Sequence, residues 1–200
     1  RFAAEGYALA LSGRDADKLR ALGEATGIAA ERLLLITGDA STLEGANAAV
    51  QGTQARFARL DVLVNLVGGW TGGKSVVETA LDDIDSMLRQ HFYSTLYLSR
   101  AALPGMLERG WGRVVVVSSP AAGSPTAGSV AYAAGKAAQE TLILAIAEEV
   151  KGSGVTANAL RVKMIDANGE KLNAPTAKNV FWTAPEEIAD AVVFLCSEAG

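Results

Sequence analysis

The chain has 200 residues, 50% of them hydrophobic and 20% charged, a balance that indicates a single globular, core-forming domain. Its net charge of -4, with scattered basic residues, argues against nucleic-acid binding, and no apolar stretch approaches the ~20 residues that span a bilayer. The single cysteine, Cys196, permits no internal disulfide, and one histidine without a Cys/His cluster argues against a metal site. These features predict a cytoplasmic protein in which Cys196 is a buried apolar side chain.

Short apolar segments alternate with longer helical segments in chain order, which predicts one α/β domain with a Rossmann-like, doubly wound parallel sheet over residues 1–200. Residues 1–6 are predicted to be the end of a helix. The predicted strands are residues 7–12, 33–37, 62–66, 113–117 and 155–160. The predicted helices are residues 15–26, 43–59, 81–109, 130–151 and 185–196.

Three polar side chains have a spacing that suggests chemistry: Ser119, Tyr132 and Lys136. Positions i and i+4 share one face of a helix, so the phenol and the ammonium should point into the same space. A free tyrosine titrates near ~10, and a fixed positive charge nearby favours the phenolate. A serine hydroxyl at the end of a neighbouring strand could hold the carbonyl oxygen that the tyrosine protonates. The alternative is a packed ring and a solvated amine, but Ser119 at this distance favours catalysis.

The order and spacing of these three residues resemble those of the short-chain dehydrogenases/reductases, and the resemblance covers essentially the whole chain. It implies reduction of a carbonyl to a secondary alcohol, or the reverse, with hydride carried by NAD(P)H. Tyr132 would be the general acid/base, and Ser119 would orient and polarise the carbonyl. Lys136 would hold the nicotinamide ribose hydroxyls. The family also implies a homodimer or homotetramer that acts on a small-molecule substrate.

The resemblance also implies elements that the 200 residues do not contain. In the family, a first strand and a glycine-rich turn that cradles the cofactor pyrophosphate precede the segment at residues 1–6. That first strand lies between the strands predicted at 7–12 and 62–66, and a last strand follows residue 200. We therefore expect a chain that is trimmed at both ends, in which strands 7–12 and 62–66 lack the strand between them. A natural protein of this length without that strand would leave a sheet edge unpaired and should bind a dinucleotide poorly or not at all.

Two residues bear on the choice of cofactor. Arg14 follows the first predicted strand, near the place where NAD-preferring relatives carry an acidic side chain. A guanidinium suits a 2'-phosphate, so the resemblance favours NADP(H) over NAD(H), with a solvated arginine as the alternative. Asp39 resembles the family aspartate that contacts the adenine, but it could instead cap the helix that begins near Leu43.

Three further positions match cofactor-binding positions of the family. Asn65 and Gly68 belong to Asn65-Leu66-Val67-Gly68, which stands where the family has Asn-Asn-Ala-Gly. Asn65 fits the pattern, and Gly68 permits close approach of the backbone to a ligand. Ile165 lies where a backbone N–H usually meets the nicotinamide carboxamide.

His91 occupies a helix position where many relatives carry an asparagine that holds a water chain to the catalytic lysine. A histidine can also bond water. It could preserve this relay, change its pH dependence, or simply pack at a kink in the helix. We include His91 among the candidate catalytic residues.

The sequence predicts the substrate less well than it predicts the fold or the cofactor. Trp70, within Gly-Gly-Trp-Thr-Gly-Gly, is a candidate substrate wall, with a lid or a subunit contact as alternatives. This run and Phe181-Trp182 are similar to the dihydropteridine reductase branch, although Ser119 and Arg14 depart from that branch. A carbonyl reductase is therefore the leading interpretation. The alternatives are a pterin reductase and a non-catalytic, cofactor-binding or scaffold member of the fold.

Overall fold

The computed structural model describes residues 1–199. Its strands are β1 Leu9–Gly13, β2 Leu33–Thr37, β3 Val62–Asn65, β4 Gly112–Ser118 and β5 Val155–Arg161. Its helices are α1 Ala16–Ala25, α2 Leu43–Phe57, α3 Leu81–Leu88, α4 Ser94–Arg109, α5 Val130–Glu149, α6 Glu170–Asn173 and α7 Pro185–Leu195. The predicted α/β fold is confirmed.

All strand pairs are parallel, and they form two separate sheets. β1 pairs with β2, with Leu9 opposite Leu33. β4 lies between β3 and β5, with Val62 opposite Arg113 on one side. β1 and β3 are not paired with each other, as predicted, and a cleft of about 840 Å³ lined by both strands lies between them.

The hydrophobic core covers both faces of β4, because successive side chains of a strand point to opposite sides. Val114 and Val116 are fully buried against residues of α2, α4 and α5. Val115 packs on the other face with Val192 of α7 and with Cys196. The prediction that Cys196 is buried is confirmed, and burial raises the pKa of its thiol to about 11, so the thiol is protonated at neutral pH.

The helix predicted over residues 81–109 is not continuous. A single turn of π-helix at Arg89–Tyr93 separates α3 from α4. Two hydroxyl groups bond to carbonyls of this widened turn: Ser94 Oγ donates to Gln90 O at 2.6 Å, and Thr95 Oγ1 donates to His91 O at 2.7 Å. His91 therefore lies at an irregular turn, which changes the direction in which its side chain leaves the helix.

Two short segments also differ from the prediction. Residues 1–6 form turns in which Arg1 O accepts from the backbone N–H groups of Ala4 and Glu5, instead of the end of a helix. The short helix α6 was not predicted, and the Asp166 carboxylate accepts from Glu170 N and Lys171 N at its start. Between residues 1 and 199, no helix combines the length and the apolar character needed to cross a membrane.

Candidate active site

The first turns of α5 bring Tyr132 and Lys136 together, and the π turn brings His91 to them. The Tyr132 ring centroid lies 6.0 Å from Lys136 Nζ. The His91 ring meets the Tyr132 ring edge to face, with centroids 5.5 Å apart and planes at 81°. The expectation that the phenol and the amine share a face of the helix agrees with this geometry, and the imidazole forms a third side of the cluster.

Ser119 lies directly after β4 and is buried. Its Oγ accepts from Ala121 N at 3.3 Å, at the start of a 3-10 turn, Pro120–Ala122, that packs against α5. The hydroxyl proton is not used in this bond, because the oxygen is the acceptor. Val117, two residues earlier, is joined to Lys136, so the end of β4 carries both Ser119 and the lysine contact.

Lys136 is 6% exposed, and its ammonium has two close acceptors. Nζ donates to Val117 O at 2.7 Å and to Gln139 Oε1 at 3.0 Å. Burial lowers the pKa of Lys136 to about 8, and the negative charge of Glu140 opposes this shift. Two of the three ammonium protons are therefore committed inside the protein, and one can serve a ligand.

His91 is 1% exposed and neutral at pH 7. Burial lowers its pKa to about 4; the charge of Lys136 acts in the same direction, and the bond to Gly69 opposes it. Nε2 lies 3.1 Å from Gly69 O, and since a carbonyl can only accept, we assign the proton to Nε2. Nδ1 is buried and has no hydrogen-bond partner among residues 1–199. Nδ1 therefore keeps an unpaired lone pair inside the protein.

Glycines are needed around His91 because the ring is packed against the backbone. A Cβ at Gly68 would lie 2.7 Å from His91 Cε1. A Cβ at Gly135 would lie 2.8 Å from Met87 O and 3.1 Å from His91 Cδ2. The close approach expected at Gly68 is therefore made to the imidazole, and a contact of Gly68 with a cofactor stays a prediction.

Asn65 is buried, and its side chain is used inside the protein. Nδ2 donates to Ser94 Oγ and Thr95 Oγ1, each at 2.9 Å, and Oδ1 accepts from Val67 N at 3.0 Å. These bonds tie the end of β3 to the start of α4. The predicted role of Asn65 at the cofactor is untested, and its amide protons are already engaged by Ser94 and Thr95.

Comparison with known proteins identifies the family. Residues 1–177 match the family model described as short chain dehydrogenase. The chain belongs to this family. It is 28% identical over 194 residues to an uncharacterized oxidoreductase of Staphylococcus aureus, covering 97% of this chain and 82% of that protein. It is 25% identical over 205 residues to an NADP-dependent 3-hydroxy acid dehydrogenase of Escherichia coli, covering 96% and 80%.

A solved structure of the family is also similar. L-sorbose reductase from Gluconobacter frateurii, complexed with NADPH and L-sorbose, matches with a TM-score of 0.85 and 27% identity, covering 99% of this chain and 83% of that one. The family acts on alcohols and carbonyls with NAD(P), and this chain is such an oxidoreductase. The predicted likeness to dihydropteridine reductases receives no support from these relatives.

The expected nucleotide-binding residues of this short-chain dehydrogenase surround one space. Arg14, Asp39, Asn65 and Gly68 all line the cleft between β1 and β3. Two arginines, Arg14 and Arg89, add positive charge beside Asp39 and lower the pKa of its carboxyl after the larger effect of its bonds to Ser41. The cleft itself lies where the family has its first strand. The Arg14 guanidinium lines it, and a guanidinium suits a phosphate of the cofactor that the family uses.

Asp39 does not cap α2, so the alternative reading of this residue was wrong. Its Oδ1 accepts from Ser41 N at 2.9 Å and from Ser41 Oγ at 2.7 Å. The cap is Thr42, whose Oγ1 accepts from Gly45 N at 3.1 Å. A contact between Asp39 and the adenine stays a prediction.

Ile165 forms an isolated parallel bridge with Thr183. Thr183 N donates to Met164 O, and Asp166 N donates to Thr183 O, each at 2.9 Å. Both bonds are made by residues next to Ile165, namely Met164 and Asp166. In a parallel bridge with this pattern, the N–H of Ile165 points away from Thr183. That orientation is compatible with the predicted contact to a carboxamide.

Three polar residues of the site were missed in the sequence. They are Arg89, Thr95 and Gln139. Gln139 offered a local signal, because it stands three residues after Lys136 and so lies near the same face of the helix. Thr95 offered a weaker one, a hydroxyl pair with Ser94 inside an otherwise apolar helical stretch. Arg89 offered no signal that separates it from an ordinary surface arginine.

Proposed function

We propose that the chain interconverts a ketone and a secondary alcohol with a preference for NADP(H). The observation that carries the proposal is the cluster of Tyr132, Lys136 and the end of β4, with Ser119 following Val117. The NADP-dependent dehydrogenase and the NADPH-bound reductase among the relatives support the cofactor preference, as do the positive charges of Arg14 and Arg89 near Asp39.

The proposed chemistry assigns one task to each side chain. The Ser119 hydroxyl holds the carbonyl oxygen, and Tyr132 donates a proton to that oxygen in reduction and takes it back in oxidation. The bound cofactor supplies the hydride. Lys136 would use its remaining N–H for a ribose hydroxyl. The Ile165 N–H holds the carboxamide.

His91 has a narrower proposed role than the sequence allowed. Because it is neutral at pH 7, it does not serve as a cation there. Its buried Nδ1 lone pair can accept a hydrogen bond from a water beside Tyr132, which is the contribution that a proton relay requires.

Two observations favour the alternative functions, so the experiment below also tests them. Trp70 is 67% exposed and packs over Gly72, so a broad aromatic surface is open to a planar substrate such as a quinonoid pterin. The commitment of Asn65 to internal bonds fits a member that kept the fold without catalysis. A homodimer or homotetramer through α4 and α5 is also part of the proposal, supported by the exposed Leu107 and Leu144 on these helices.

The experiment measures oxidation of NADPH and NADH with a 3-oxo acid, a ketose and a quinonoid dihydropterin. We expect turnover of a small carbonyl compound with NADPH favoured. Tyr132→Phe should lower the turnover number by about 10²- to 10⁴-fold, the usual contribution of a positioned acid/base, with NADPH affinity unchanged in a fluorescence titration. Tyr97→Phe, a partly buried ring that packs on the core and stacks on Tyr93, is the matched control and should keep full activity.

The outcomes separate the three interpretations. Turnover confined to the dihydropterin favours the pterin reductase. NADPH binding without oxidation across the panel favours the non-catalytic alternative. Wild-type turnover in Tyr132→Phe would remove the proposed acid/base from the mechanism.

A further inference from the structure

Gln139 is fully buried beside the candidate catalytic lysine and is not one of the residues assigned a role above. We propose that Gln139 is a positioning residue, which holds the Lys136 ammonium at the end of β4 and stabilises its charged form. The consequence for turnover rests on the proposed function, whereas the contact itself can be tested without it.

The orientation of the Gln139 amide follows from its neighbours. Thr95 Oγ1 spends its one proton on His91 O, at 2.7 Å, so it can only accept from Gln139. Gln139 Nε2 must therefore face Thr95, where it donates at 3.0 Å. Oε1 is then turned to Lys136 and accepts from Nζ at 3.0 Å. A flipped amide would place its NH₂ group against the ammonium and its oxygen against an oxygen without a free proton.

The network is anchored on several elements, which makes the position of the amide rigid. Thr95 Oγ1 also accepts from Asn65 Nδ2 at 2.9 Å, which connects β3 to the start of α4. Lys136 Nζ donates to Val117 O at 2.7 Å, which connects α5 to β4. Gln139 joins these two anchors, so the ammonium cannot turn away without breaking bonds in the interior.

A buried ammonium needs acceptors, because removing a charge from water is costly. Val117 O and Gln139 Oε1 supply two. The other titratable groups around Lys136 are Tyr132 and Glu140 on α5 and His91 on the π turn. His91 is neutral at pH 7. Glu140 is bound by Arg161 of β5, whose Nε donates to Oε1 at 2.8 Å, and its negative charge also raises the pKa of Lys136, against the effect of burial.

The first test observes the lysine directly. Lysine Nζ resonances are followed by NMR through a pH titration of the chain, with the Lys136 signal assigned by its loss in Lys136→Met. Gln139→Leu removes an acceptor, so we expect the Lys136 midpoint to move down by about one unit or more. Gln139→Glu places a carboxylate there and should move it up by a similar amount. Ile143→Val, one turn further along α5 and also buried, should leave it unchanged.

The second test is catalytic. With a carbonyl substrate and NADPH, the pH above which kcat/KM falls should move down in Gln139→Leu and up in Gln139→Glu, while Ile143→Val keeps the wild-type profile. A general loss of stability would lower activity in both variants, but it would not move the pH above which kcat/KM falls down in one variant and up in the other.

The positioning role of Gln139 can be tested even if the proposed function is wrong. Equal Lys136 midpoints in the wild type and Gln139→Glu would overturn it. If Gln139→Leu does not fold, the upward shift in Gln139→Glu still decides. If no substrate is turned over, the proposed function fails and the NMR titration still tests the positioning role.

Discussion

The two sheets of this molecule organise their polar groups in opposite ways. In the catalytic half, defined as β3 to β5 with the π turn and α5, the polar side chains of the site are buried and bonded to one another. In the nucleotide half, defined as β1, β2 and α1, the charged side chains Arg14 and Asp15 are exposed at the rim of the cleft or beside it. The first arrangement is rigid without a ligand, whereas the second offers charge at a surface.

This difference predicts two kinds of response. A change in the catalytic half should alter the free energy of unfolding, because it leaves buried groups unpaired or forces packed atoms apart. A change at the cleft rim should alter selectivity for the cofactor and leave stability nearly constant. The following experiments test this contrast from the largest expected effect to the smallest.

The first experiment uses the buried imidazole. Burial lowers the pKa of His91 to about 4 from 6.5, so the unfolded chain binds a proton between these values that the folded chain does not. The contribution to stability is complete above pH 6.5 and is lost as the pH falls through 4. Between pH 7 and pH 4, this titration should lower the free energy of unfolding by about 3 kcal/mol. Urea unfolding gives the free energy of unfolding at each pH. Over this window, we expect that free energy to fall more steeply with decreasing pH in the wild type than in His91→Asn.

The control for this titration is clean, because His91 is the only histidine of the 200 residues. Carboxylates titrate in both proteins and cancel in the difference. Met87→Leu, a volume-conserving change of a buried residue four positions before His91, should keep the wild-type pH dependence of the free energy of unfolding. Parallel pH curves for the wild type and His91→Asn would show that the imidazole is not held neutral by the fold.

The second experiment makes the same substitution on two helices. Gly135→Ala should destabilise by about 2 kcal/mol, since its Cβ would lie 2.8 Å from Met87 O, a backbone atom that cannot rotate away. Gly52→Ala on α2 meets only Ile36 Cδ1 at 3.4 Å, so it should stabilise by about 0.5 to 1 kcal/mol through helix propensity. Thermal unfolding of both variants measures the two changes in stability. If both substitutions stabilise the protein, or both destabilise it, the close packing of α5 on α3 is contradicted.

The same contrast explains what the sequence could predict. The strand Leu33–Thr37 was predicted with its observed bounds, because a strand of a parallel sheet is a short apolar run between polar segments. Tyr132 and Lys136 were placed correctly relative to each other, since helical spacing is local. The residues that line the cleft follow strand ends, and that position can also be read locally.

The bonds that hold the site together could not be read in this way. Gln139 reaches Thr95 across 44 positions, and Asn65 reaches the same hydroxyl across 30. In one sequence, a glutamine on a helix looks like a surface residue until its partner is known. The π turn was hidden for a related reason. The apolar stripe of residues 81–109 continues through it, and the wider turn is revealed by the backbone bond from Ser94 N to Arg89 O, five residues earlier.

The smallest effect is expected at the cleft rim. Arg14 is exposed and forms no ion pair within residues 1–199, so Arg14→Glu should leave the melting temperature nearly unchanged. If its guanidinium holds a 2'-phosphate, the lost bond of about 2 kcal/mol should lower the ratio of kcat/KM for NADPH over NADH by about 30-fold. Arg20→Glu on α1, exposed but outside the cleft, should keep the wild-type ratio. An equal ratio in Arg14→Glu would mean that the charge at this rim does not select the cofactor, and the contrast between a rigid interior and a selective surface would lose its second half.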